Sequence, residues 1–159
     1  MLPAVLRPHS RGTIRLCSLN PLDPPLMELN FLSAPADRKT LRTAVRLCMR
    51  IAGTMHANGY GTRPLRAPRS AEEADVDEYI DATGMSFLHY SSTCRMAPRD
   101  DPEPGVVDDE LRVHGIANLR VCDASVFPQI PAAHLLAPVV VVAEKCAEMI
   151  KKAVGGIEK

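Results

Sequence analysis

Thr13-Ile14-Arg15-Leu16 alternates polar and apolar side chains, the pattern of a half-buried strand, and Ser10-Arg11-Gly12 precedes it as a turn. Asn20 to Pro25 carries three prolines and reads as a loop. The next periodic stretch predicts a helix from about Pro35 to Ala52, with Ser33 as N-cap, Pro35 in the first turn and Gly53 after the end. Leu41, Val45 and Cys48 form its apolar stripe. Arg38, Arg42, Arg46 and Arg50 form a second stripe at i+4 spacing, which reads as a solvated face or as a phosphate-binding surface.

Gly53 to Arg69 is rich in glycine and proline and reads as a long loop. Ser70-Ala71-Glu72-Glu73 has the form of a capping box and starts a helix through about Ala82, with Val76, Tyr79 and Ile80 on its buried side. Arg99 to Pro104 is a charged, proline-broken loop. Two short strand-like pieces follow, Leu111-Arg112-Val113 and Leu119-Arg120-Val121, joined by His114 to Asn118. The last helix has Pro138 in its first turn, apolar Val139 to Val142, Lys151 and Lys152 near its end, and Gly155 as its stop.

Composition refines this picture in three respects. Of 159 residues, 46% are hydrophobic and 24% charged, which fits one domain with a real core and excludes a disordered chain. The formal net charge is zero, which points away from nucleic acid and from anionic membranes. The 14 prolines and 4% aromatics suit a loop-rich piece that leans on other structure.

Cys17, Cys48, Cys94, Cys122 and Cys146 are scattered, with neither a C-x-x-C pair nor zinc-ligand spacing, so free thiols are expected and no metal. The apolar run in Met1 to Arg7 is too short for a signal-peptide core. Leu135 to Ala143 is too short to span a bilayer, which takes about 20 residues. The expectation is a soluble protein without membrane partner, cytoplasmic by default.

Two histidines stand out by their surroundings. His89 lies in Leu88-His89-Tyr90-Ser91-Ser92-Thr93-Cys94-Arg95-Met96, straight after the second helix. His134 lies in Ile130-Pro131-Ala132-Ala133-His134-Leu135-Leu136-Ala137-Pro138, just before the last. Each alone could be structural. An imidazole titrates near neutral pH, which suits a general base. No nucleotide-binding glycine motif is present: in Gly59-Tyr60-Gly61 a proline, Pro64, stands where a third glycine would fall.

The segments His89 to Met96, Gly105-Val106-Val107-Asp108, Leu111 to Gly115, Asn118 to Ser125 and Pro128 to Pro138 follow one another in a recognisable order. In that order and spacing, the chain resembles the carboxy-terminal, substrate-side portion of the glucose–methanol–choline (GMC) oxidoreductases. Arg7 to Gly12 and Asn20 to Pro25 look like the same family's substrate domain. Two departures are mild: the family usually has glycine where this chain has Ser92, and again where it has Ala97. The large one is that the family's FAD-binding dinucleotide fold, with its G-x-G-x-x-G, has no counterpart here.

The resemblance implies an α+β fold, an antiparallel sheet with helices packed on one side, with residues 1–159 as one substrate-side domain and no complete Rossmann fold. It implies FAD as cofactor and a primary or secondary alcohol as substrate, with hydride passing to flavin N5. His89 matches the family's base and His134 its orienting partner, although the roles could be exchanged. Asp123, Ala124, His134 and Leu135 match positions near the flavin, and the last helix would direct its N-terminus at the reduced ring. Cys94 carries no role. Two functions stay open: the substrate half of an FAD-dependent alcohol dehydrogenase or oxidase, or a truncated, non-catalytic relic or binding module. In either case a separate FAD-binding chain, or self-association, is the expected partnership.

Overall fold

A computed structural model describes residues 1–155. The chain forms two compact units, one ending at Phe87 and the other beginning at Leu88. The last four residues of the expected 1–159 domain lie outside the described residues.

In the first unit, β1 (Thr13–Arg15) pairs antiparallel with β2 (Leu26–Glu28), Ile14 opposite Met27. The three-proline loop makes the turn between them, and Asn20 and Ser18 both bond Asp23 there. Both strands are exposed. This ribbon is the only regular sheet among the described residues, so the β part of the α+β fold is small.

Helix α1 spans Pro35–Ala57. Ala34, not Ser33, is its N-cap, and no side chain caps it; the Ala34 N–H instead donates to the Ser10 hydroxyl at 3.0 Å. The helix also runs through Gly53 rather than stopping there. A single helical glycine costs only about 1 kcal/mol. The terminating glycine is Gly59, at φ 86°, where a left-handed residue lets the Tyr60 N–H reach back to the Met55 carbonyl.

Asp37, in the first turn of α1, is only 2% exposed. Its carboxylate accepts from the backbone N–H of His9 and Ser10 and from the Ser10 hydroxyl, at 2.6–2.8 Å. Burial alone would push this carboxyl up, but those hydrogen bonds outweigh it and hold it below the usual range. Because the folded value is depressed, the tether is in force above the ordinary carboxylate range, about 3.9, and is lost as pH falls through the folded value. We expect the Ser10 amide proton to lose exchange protection below about pH 4. In Asp37→Asn the protection should already be low at pH 7, with no acid transition left; an unchanged transition would refute the tether.

Helix α2 spans Glu73–Thr83. The expected capping box does not form. The Ser70 hydroxyl donates to Asp75 at 2.6 Å and accepts from the Glu72 N–H, so Glu72 becomes the N-cap. Val76 and Ile80 are buried against Val45, with Leu32, Leu41, Met49 and Tyr79 around them. Met49, rather than Cys48, completes the α1 stripe in that cluster.

The arginine stripe is neither a solvated face nor a phosphate surface. Arg42 holds both carboxylate oxygens of Asp77 at 2.6 Å and pairs with Glu73 at 2.8 Å. Arg38 reaches Asp81 at 2.6 Å and Asp77 at 3.4 Å, and Arg46 donates to the Ala71 carbonyl. Only Arg50 of the four is fully exposed. Bidentate guanidinium–carboxylate geometry makes this a specific ladder between α1 and α2. The Arg42 guanidinium, then Arg38, keeps Asp77 below the ordinary carboxylate range.

In the second unit, Val107, Leu111, Val126 and Cys146 are buried together, with Met96, Val113, Val121, Cys122 and Val142 packed on them. The strand-like pieces are joined by single bridges, Arg112 to Arg120 and Val107 to Val113 antiparallel and Met96 to Val107 parallel. Helix α3 (Leu136–Gly155) contributes Cys146 and Val142 to this core. On another face of α3, Leu136, Val140, Ala143, Ala147, Ile150 and Val154 are all exposed, at alternating steps of four and three. All five cysteines are free thiols, and burial beside Cys146 pushes the Cys122 thiol up to about 11. Among the described residues, no helix is long and apolar enough to cross a membrane.

Gly105 is fixed by a close approach. A Cβ there would sit 2.4 Å from the Ala97 backbone nitrogen and 2.5 Å from its carbonyl oxygen. Ala97 in turn bonds the Val107 carbonyl and accepts from or donates to His114 Nε2 through its own carbonyl-side contact at 2.9 Å, so this corner cannot shift cheaply. Gly105→Ala should therefore lower stability by about 1–3 kcal/mol in a denaturant melt, the usual cost of overpacking. A loss within error would show that the corner yields.

Candidate active site

The segment carrying His89 is held by its neighbours. Ser92, Cys94 and Met96 donate their N–H groups to the carbonyls of Ala124, Ser125 and Val126, at 2.9–3.1 Å. Leu88 and Ser92 have φ of 59° and 62°, the left-handed region. For a residue with a side chain this costs roughly 1–2 kcal/mol, and such strain persists only where surrounding structure imposes it. Ser92 is the position where the family resemblance expects glycine. His89 itself is half-buried.

His134 is exposed and directly precedes α3. Its neighbour Leu135 is buried, and the Leu135 carbonyl accepts the Val139 N–H at 2.9 Å, which starts the helix. Pro138 falls in that first turn and has no N–H to leave unpaired.

The fold brings the two imidazoles together across 45 residues. His134 Nδ1 lies 3.2 Å from His89 Nε2, with ring centroids 5.1 Å apart and ring planes at 88°. At that distance one ring donates and the other accepts. Neutral, the pair then presents one bare nitrogen and one N–H on its outward positions.

Asp123 is exposed and begins a single 3₁₀ turn, Ala124–Val126; its carboxylate accepts the Ser125 N–H at 2.7 Å. The Ala124 carbonyl is taken by Ser92. The Ser125 hydroxyl is buried without a hydrogen-bond partner. His114 binds the Ala97 carbonyl and His9 its backbone to Asp37, so both serve structure. Sequence reasoning missed the part played by Ser92, Cys94 and Met96 in pinning the His89 segment. The polar–apolar alternation around them was a weak signal for it.

The profile of the GMC oxidoreductase family matches residues 8–143. The chain belongs to this family. It is 39% identical over 145 residues to an oxygen-dependent choline dehydrogenase of Vibrio vulnificus, covering 91% of this chain and 26% of that one. It is also 39% identical over 163 residues to a glucose dehydrogenase [FAD, quinone] of Drosophila pseudoobscura pseudoobscura, covering 98% and 26%. Its fold matches the structure of an FAD-dependent oxidoreductase from Chaetomium thermophilum with a TM-score of 0.82 at 28% identity, over 93% of this chain and 26% of that one. The chain thus spans about a quarter of the length of the relatives it matches.

Proposed function

We propose that this chain is the substrate-side part of an FAD-dependent oxidoreductase that oxidises a primary or secondary alcohol, with His89 and His134 as its catalytic residues. The observation that carries the reading is the meeting of these two imidazoles at 3.2 Å in a chain of this family. The relatives' names, choline dehydrogenase and glucose dehydrogenase, support a small hydroxylated substrate.

His89 takes the hydroxyl proton at Nε2, and His134 Nδ1–H holds the alcohol oxygen in place. A neutral imidazole pair can do both at once, since one ring is a base and the other a donor. FAD, when bound, supplies the acceptor for the hydride leaving carbon. The residues present fit the edge of such a ring. The first-turn N–H groups of α3, at Leu136 and Ala137, have no partner within the helix, and Leu136 is 78% exposed as an apolar surface beside them. Those N–H groups, with the backbone of His134 and Leu135, would hold the flavin's polar edge, and the helix N-terminus would favour negative charge there. Asp123 and Ala124 would lie toward the ribityl side.

The test is to join the chain to the flavin-binding portion of a relative and measure dye-linked alcohol oxidation. Turnover that disappears with His89→Ala supports the reading. A folded, flavin-loaded protein without turnover on any of a panel of primary and secondary alcohols favours the second reading, a binding module that has lost catalysis.

A further inference from the structure

A hydroxyl oxygen held by both imidazoles needs room that the pair does not have. With two hydrogen-bond arms of about 2.8 Å and a near-tetrahedral angle between them, the two nitrogens must stand roughly 4.6 Å apart. They stand at 3.2 Å. An oxygen placed between them as they are would be squeezed to an angle of about 70° at that arm length. The substrate and the direct histidine–histidine bond therefore exclude each other.

The two rings differ in freedom to move. His89 is half-buried, and its segment is tied to Ala124–Val126 beginning three residues on. His134 is exposed, with exposed Ala132 and Ala133 before it. Its backbone is anchored on the other side by buried Leu135. Opening by about 1.4 Å is thus a side-chain rotation of His134 rather than a loop displacement.

We infer that the bond between His134 Nδ1 and His89 Nε2 closes the substrate-free site, with His134 donating, and that substrate enters by turning the His134 ring outward and taking over both ends of that bond. The direction of donation rests on the proposed role of His89: a base must keep its Nε2 lone pair, and that lone pair is what accepts from His134. The resting contact is a stand-in for the substrate hydroxyl. His134 is then a gate as well as an orienting group.

The test needs no turnover, so it can fail separately from the catalytic proposal. Diethyl pyrocarbonate acylates the bare nitrogen of a neutral imidazole: an N–C bond forms, ethyl carbonate leaves as carbon dioxide and ethanol, and the other ring nitrogen releases its proton to water. Initial rates at His89 and His134 are read by peptide mass spectrometry on the 159-residue chain. In the native chain His134 should react faster than His89, whose lone pair is covered. In His134→Ala, His89 should react about five-fold faster, the factor that one neutral hydrogen bond of about 1 kcal/mol represents. In His134→Asn, which keeps a donor, His89 should stay slow. That rescue separates a covered lone pair from a loosened fold, which would speed His89 in both variants. Equal His89 rates in the native chain and His134→Ala, or equal acceleration in both variants, would overturn the gate. Loss of turnover in His89→Ala would still leave the catalytic reading standing.

Discussion

In the chain joined to a flavin-binding portion, His89→Ala lowers turnover by about 10²-fold or more, the usual scale for loss of a positioned general base. The effect should fall on kcat, because the proton moves only as the carbon–hydrogen bond breaks, and an interaction made in the transition state alone is lost from kcat and kcat/KM alike. His134→Asn should be milder, since asparagine keeps a hydrogen bond to the alcohol oxygen. The two together should lose less than the product of the single losses, because each ring acts through the same oxygen. Equal and negligible losses in both single variants would refute the proposed roles. A larger loss in His134→Asn than in His89→Ala would exchange them.

The second large effect concerns the cofactor. The 159-residue chain by itself should bind FAD only weakly, with Kd about millimolar, and should not oxidise alcohols. In the family fold, the glycine-rich turn and helix N-terminus of the dinucleotide domain neutralise the pyrophosphate. This chain offers the flavin edge only the start of α3 and the neighbourhood of Asp123 and Ala124. A few neutral hydrogen bonds contribute about 1 kcal/mol each, against an association cost of roughly 4–15 kcal/mol. What remains is near −4 kcal/mol, which corresponds to a millimolar Kd. The exposed row of Leu136, Val140, Ile150 and Val154 should also make the isolated chain prone to self-association. Flavin fluorescence quenching and dye-linked oxidation read the outcome. Stoichiometric binding at micromolar FAD, with turnover, would show that the chain is an enzyme by itself.

Much of this molecule is legible in its sequence, and the limits fall where physics becomes non-local. α3 can be read from Pro138 to Gly155 because its periodicity and stop signals agree with what it packs against. α1 overruns its first glycine because that signal is weak in a helix and becomes decisive only with the left-handed turn at Gly59. The pieces around Arg112 and Arg120 are too short for regular strands, and their bridges depend on partners elsewhere in the unit. The arginine stripe is visible as a pattern, but its carboxylate partners lie about one helix and one loop further on. The histidine pair is the extreme case. Nothing local to His89 announces His134, and only the ordered set of family segments connects them.

The ladder between α1 and α2 also shapes how this protein can change over time. Asp77 receives two guanidiniums, from Arg38 and Arg42, and Arg42 in turn serves Asp77 and Glu73. These are not four independent positions. Losing Asp77 first strands Arg42 against the neighbouring cation Arg38, whereas losing Arg38 first leaves Asp77 still held on both oxygens by Arg42. A lineage replacing this contact with an apolar one therefore has a passable order of steps, Arg38 before Asp77, and an obstructed one in reverse. Residues 35 apart in the chain are bound into a single unit of substitution, with a direction built into its history.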